Sequence, residues 1–195
     1  MTADRPSLVI DDLDVIAPGA FAAAVSPLFE GARGFLGRLA VARPFGTVDA
    51  MFARAREIAQ TMPLDERLEL IDAHPRLGAS PATVSALSHA EQGYGVPTPT
   101  TGSGVEDENE AETETREARR VARELARLND AYEARLGFRY CVFVAGRPLA
   151  ALLPGLEAAL EADRDAEIRR ALDAVIDIAQ ARYATLTAAP AEGPA

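Results

Sequence analysis

The chain has 195 residues, 48% of them hydrophobic, and a formal net charge of −10. That fits one globular domain with loose ends, long enough to bury a real core. The acidic balance argues against nucleic acid as a partner, and no apolar run approaches the length of a membrane span.

Further classes fall away on composition. The N-terminus lacks a basic region followed by an apolar segment, so no secretory signal is expected. Cys141 is the single cysteine. An internal disulfide is therefore impossible, which suits a reducing cytoplasm. One Cys and two His do not make a Cys/His zinc site, and no metal site is expected. Much of the negative charge is local. Seven acids and one arginine lie between Glu106 and Glu117, a net −6, which leaves about −4 for the rest of the chain. An anionic substrate stays compatible with this balance if an arginine is well placed.

Residues 1–17 have no clear period and read as an N-terminal extension. "GAFAAAVSPLFEGARGFLGRLAV" is helical, and Pro27 and its glycines split it into two short helices. "RPF" at 43–45 is a break. Thr47 is a candidate N-cap for a helix with the stripe Val48, Met51, Phe52, Ala55 and Ile58. Pro63 opens the next helix, where Leu64, Leu68 and Ile71 form a stripe. That helix must stop at "AHPRLG". Pro75 disfavours helical geometry at His74, and Gly78 permits a sharp turn. His74 is thus presented at a helix end, beside the core, where the helix dipole favours a protonated ring. It can cap the helix or do acid–base chemistry.

Ser80 and Pro81 start another helix, "ATVSALSHAEQGYG". The stretch 97–115, rich in Pro, Thr, Gly and acids, is expected to be a mobile acidic insertion whose end frays into the following helix. That helix carries Val121, Leu125, Leu128, Tyr132 and Leu136. "FRYCVFVAGR", 138–147, is aromatic and β-branched and too short for a helix, so it reads as an extended segment crossing the core. Two helices follow, roughly 148–162 and 164–187, and residues 188–195 form a disordered tail. The expected class is all-α: a single-domain helical bundle over 18–187 with one short extended segment.

Polar residues on apolar faces are the places to look for chemistry. In the last helix the stripe Ile168, Leu172, Val175 and Ala179 continues to Arg182. A guanidinium there either snorkels or forms an internal ion pair, or it points into a pocket for a carboxylate or a planar urea-like group. Val84, Leu87 and Glu91 share a face, with Ser88 and Gln92 beside them, while His89 lies off it. These groups line either a solvent edge or a site. A His–Glu pair can hold a ring tautomer and raise the histidine pKa, and an arginine nearby can offset developing negative charge.

Six stretches in order, from about Phe29 to Leu186, resemble the OHCU decarboxylase family, which acts on 2-oxo-4-hydroxy-4-carboxy-5-ureidoimidazoline in urate breakdown. "FE" at 29–30 and "ARPF" at 42–45 resemble its N-terminal region. "AHPRLG" is similar to its His-Pro motif and "LSHAEQ" to its Ser-x-x-Glu-Gln motif. "LARLNDAYEARLGFRYCVFVAGR" resembles its Leu-Asn-x-x-Tyr helix and following segment, and "IAQAR" its closing arginine motif. The resemblance implies catalytic roles for His74, Glu91 and Arg182. It implies substrate contacts at Pro75, Ser88, His89, Ala90 and Gln92 and along Tyr140, Cys141, Val142, Phe143 and Val144. It further implies an all-helical fold, often homodimeric, with no cofactor, that takes a small anionic ureidoimidazoline to (S)-allantoin. Arg139 stands where the family has proline, and Ala145 where a basic residue is common, with Arg147 the nearby substitute. Two other readings fit the same residues: a helical interaction module that keeps the fold, and a decarboxylase or lyase of a related ureido acid.

Overall fold

The computed structural model describes residues 8–79, 87 and 105–188, without the side chains of 105–114. Among these residues the regular structure is all helical, as expected from the periodicity. The α-helices are α1 (Ile10–Val15), α2 (Pro18–Val25), α3 (Arg33–Val41), α4 (Val48–Thr61), α5 (Leu64–Asp72), α6 (Val105–Leu136), α7 (Leu153–Ala159) and α8 (Arg164–Thr187). Short 3₁₀ turns at Ser26–Phe29 and Leu149–Leu152 lead out of α2 and into α7. The described residues form two compact units. One comprises the chain through His74 together with the part from Ile168 onward, and the other runs from Pro75 to Glu167.

In the first unit, α3 packs against α2, α4 and α5. Phe21, Val25, Leu28, Phe29, Phe35, Leu39 and Met51 are fully enclosed there, and the rings of Phe29 and Phe35 lie 4.8 Å apart. Thr47 caps α4 as its sequence predicts, its hydroxyl accepting from the Ala50 N–H at 3.1 Å. Helix α3 has no local side-chain cap. Instead, Glu69 of α5 accepts from the Arg33 N–H at 2.9 Å, which satisfies an orphan donor and places a carboxylate at the positive end of the dipole.

Two expectations for this unit need correction. The N-terminal stretch holds α1, and it is built into the unit. Leu13 is fully buried, the Asp14 carboxylate accepts from the N–H groups of Phe45 and Gly46, and Arg43 donates to the carbonyls of Leu13 and Ile16. A six-residue helix is too short to display a period. The stripe of α5 is also shifted. Pro63 occupies the N-cap position, Leu64 is 42% exposed, and Leu70, Ile71 and His74 form the buried face.

In the second unit, α6 buries Val121, Leu125, Leu128, Tyr132 and Leu136, the stripe read from the sequence, and packs against α7. It begins at Val105, so the acidic stretch is helical from that residue on. Glu and Ala are strong helix formers, and acids near a helix N-terminus complement its dipole. Residues 97–104 and 189–195, where loop and tail are expected, lie outside the described residues, as does the Ser80–Pro81 helix start. Beyond α6, residues 139–144 carry no regular secondary structure. Tyr140, Cys141 and Val144 in this segment are buried, and Tyr140 meets Tyr132 edge-on at 5.2 Å.

Candidate active site

Helix α5 delivers His74. The Ala73 and His74 N–H groups close the last turn on the carbonyls of Glu69 and Ile71, and the ring then folds back over the helix end. It is 4% exposed, and Nδ1 lies 3.2 Å from the Leu70 carbonyl. A carbonyl can only accept, so this contact assigns the ring proton to Nδ1 and leaves the lone pair on Nε2.

Helix α8 delivers Arg182 to the same unit. The side chain is 1% exposed and meets the Glu30 carboxylate at 2.9 Å. Its other terminal nitrogen donates to the Pro27 carbonyl at 3.1 Å. Of the alternatives for this position, the internal ion pair is the one present.

Glu30 is the residue that the sequence reading left without a role. It ends the 3₁₀ turn with φ 49° and ψ 28°, and Gly31 follows at φ 77°. A left-handed backbone costs a non-glycine residue about 1–2 kcal/mol. The signal that could have found it is an isolated acid in "SPLFEGARGFLG", directly before a glycine that continues the turn. Amphipathic periodicity does not flag it, because a residue in a turn belongs to no helical stripe.

His74, Arg182 and Glu30 act on one another electrostatically. The imidazole pKa is pushed down from 6.5 to about 4, chiefly by burial and then by the Arg182 charge, against the raising effects of Glu30 and the Leu70 carbonyl. This corrects the expectation of a ring held protonated by the helix end. Desolvation of a ring this enclosed outweighs a helix-end dipole. The site thus offers a neutral imidazole, a base through Nε2, beside a buried guanidinium–carboxylate pair.

The other site residues expected from the sequence stand as follows. Pro75 is half-buried. The loop after it is pinned to α6 by Arg76, which pairs with Asp130 and Glu133, each at 2.7 Å, and by Asn129, which donates to the Leu77 carbonyl at 2.9 Å. Gly78 has φ 75°, and a Cβ there would stand 3.0 Å from a Leu125 methyl. Ser88, His89, Ala90, Glu91 and Gln92 lie outside the described residues. The segment Tyr140–Val144 ends in a tight turn, with Ala145 at φ 51° and Gly146 at φ 71°. Arg147 closes that turn. Its N–H bonds to Val144, and its guanidinium donates to the carbonyls of Val144 and Phe143. A hollow of about 690 Å³ in the first unit, lined by Gly34, Gly37, Arg38, Ile58 and Glu66 among others, includes neither His74 nor Arg182, so the acid–base groups do not belong to it. Among the described residues, no three His, Cys, Asp or Glu side chains are placed to hold a metal ion, and no helix is long and apolar enough to cross a membrane.

The family model for OHCU decarboxylase matches residues 15–110 and 95–184. The chain belongs to the OHCU decarboxylase family. It is 25% identical over 177 residues to the 2-oxo-4-hydroxy-4-carboxy-5-ureidoimidazoline decarboxylase of Haloferax volcanii, covering 91% of this chain and 95% of that protein. It is 27% identical over 177 residues to the uric acid degradation bifunctional protein PucL of Bacillus subtilis, of which it spans about a third, 32%. The fold is that of an OHCU decarboxylase crystallised in the presence of (S)-allantoin, with a TM-score of 0.59 and 20% identity over 84% of this chain and 96% of that one. It is also that of an (S)-allantoin synthase, with a TM-score of 0.61 and 19% identity over 92% of this chain and 53% of that one. Those two likenesses establish the all-α fold of an OHCU decarboxylase. The six sequence stretches fall within the family match.

Proposed function

We propose that this chain decarboxylates 2-oxo-4-hydroxy-4-carboxy-5-ureidoimidazoline to (S)-allantoin, as a carboxy-lyase of urate degradation whose family domain spans residues 18–187. The single observation that carries the reading is a buried His74 within electrostatic reach of a buried Arg182 in a chain matched by the family along most of its length.

The chemistry follows from the substrate. The carboxylated carbon carries a hydroxyl and adjoins a C=N bond. As the bond to CO₂ breaks, its electron pair moves toward that imine, whose nitrogen takes a proton. The hydroxyl gives up its proton as a carbonyl forms, and the neighbouring carbon takes one up, so one proton is consumed overall. The substrate supplies its own electron sink. His74 Nε2, which carries the ring's lone pair, accepts the hydroxyl proton as general base. Arg182 offsets negative charge developing on the substrate oxygens. Likeness to the family adds Glu91, which would orient His74 and hold the ureido or ring N–H groups. Pro75, Ser88 to Gln92 and the backbone of Tyr140 to Val144 would hold the ring. The same reading takes the working form as a cytoplasmic homodimer that needs no cofactor. Light scattering of the purified chain tests the dimer.

The direct test feeds freshly generated substrate and follows its loss by absorbance, together with the handedness of the allantoin formed. Enzymic acceleration giving the S product is expected. Loss at the spontaneous rate, giving racemic product, rejects the reading.

A further inference from the structure

We propose that Glu30 is a positioning residue for this decarboxylation, fixing the Arg182 guanidinium in the plane and register that let it act beside His74. The inference rests on the functional reading above and adds a residue to it.

Three observations carry it. First, Glu30 Oε1 meets an Arg182 terminal nitrogen at 2.9 Å, with side-chain exposures of 15% and 1%. A desolvated guanidinium needs a fixed acceptor, and a carboxylate matches its planar fork. Second, the carboxylate is held by a built turn. The Glu30 N–H returns to the Ser26 carbonyl with φ 49°, and the Gly31 N–H returns to the same carbonyl at 3.1 Å. A non-glycine residue kept in a left-handed conformation is a constraint that its surroundings must over-determine. Third, the same turn places the Pro27 carbonyl 3.1 Å from the other Arg182 terminal nitrogen. Both ends of the guanidinium are thus anchored on one five-residue segment. A guanidinium held at both ends in advance meets a forming charge without reorganising.

The test compares E30A, E30Q and the R182K and E30A/R182K variants with the parent, using freshly generated ureidoimidazoline substrate. Circular dichroism and melting temperature report the fold. In E30A, kcat should fall about 10²-fold, with KM changed only a few-fold. E30Q keeps an oxygen that accepts from Arg182 and should recover a large part of the loss. The double variant should be little worse than the poorer single one, because both remove the same arrangement. If E30A misfolds, E30Q and an E30Q/R182K double variant take its place in the comparison. Unchanged kcat in a folded E30A, additive losses in the double variant, or equal losses in E30A and E30Q that track melting temperature each overturn the proposal while leaving the decarboxylase reading intact. A parent that gives no acceleration rejects that reading, and this proposal with it.

Discussion

Nδ1 of His74 stands 3.2 Å from the carbonyl of Leu70, one turn back along α5. That contact locks the ring against rotation and keeps its basic nitrogen on the opposite side. Removing the imidazole should abolish chemistry without unmaking the fold, because the backbone of α5 closes on its own carbonyls. His74→Ala is expected to lose about 10²–10⁴-fold in kcat with an unchanged circular dichroism spectrum. Decarboxylation at the parent rate would remove His74 from the mechanism.

The depressed imidazole pKa makes an acid-side prediction. Folded His74 binds its proton near pH 4 against 6.5 when free, so the unfolded chain takes up more protons between those values. The resulting stability is complete above about 6.5, declines as pH falls, and stops declining below about 4. The span corresponds to something on the order of 3 kcal/mol. Urea unfolding at pH 7.5 and pH 4.5 should therefore cost the parent more stability than it costs His74→Gln. Equal losses would indicate a ring that titrates normally. The rate should likewise stay level down to about pH 5 and drop only as the imidazole charges.

Arg182→Lys keeps the charge and loses the planar fork. One ammonium cannot reach both Glu30 and the Pro27 carbonyl, which now meet separate nitrogens. Breaking a buried pair typically costs about 3–5 kcal/mol, and the lysine should recover only part of that. Activity should fall at least tenfold in steady-state assays. Unaltered kinetics with a lowered melting temperature would confine Arg182 to the core.

Much of this arrangement is written in the sequence because it rests on periodicity. Arg182 continues a stripe of Ile168, Leu172, Val175 and Ala179, and all five are buried. His74 precedes a proline at a helix end, and Thr47 announces its cap. What resisted reading was tertiary. Glu30 gains its role only because α8 returns to the 3₁₀ turn after a separation of 152 residues. The ring's neutrality follows from burial, which no local pattern reports. The acidic stretch lacks the apolar residues of a core, yet Glu and Ala propensity makes it helical from Val105.

Asn129 gives a prediction in the second unit. It is 2% exposed, its amide nitrogen holds the Leu77 carbonyl at 2.9 Å, and its own oxygen has no partner among the described residues. Asn129→Ala frees a buried carbonyl and should destabilise the chain by about 1–3 kcal/mol. Because Leu77 lies three residues beyond His74, hydrogen exchange in residues 76–79 should also quicken. Exchange there at the parent rate would mean that the Arg76 pairs alone hold the loop.

The first helix bears on where the family domain can be cut. The family match starts at residue 15, the last residue of α1. A truncation at that border would sever the Asp14 carboxylate from the amides of Phe45 and Gly46 and unplug Leu13 from the interior. A limit drawn from sequence likeness thus passes through a folded helix, and a trimmed protein should begin no later than residue 8 if the first unit is to keep these contacts.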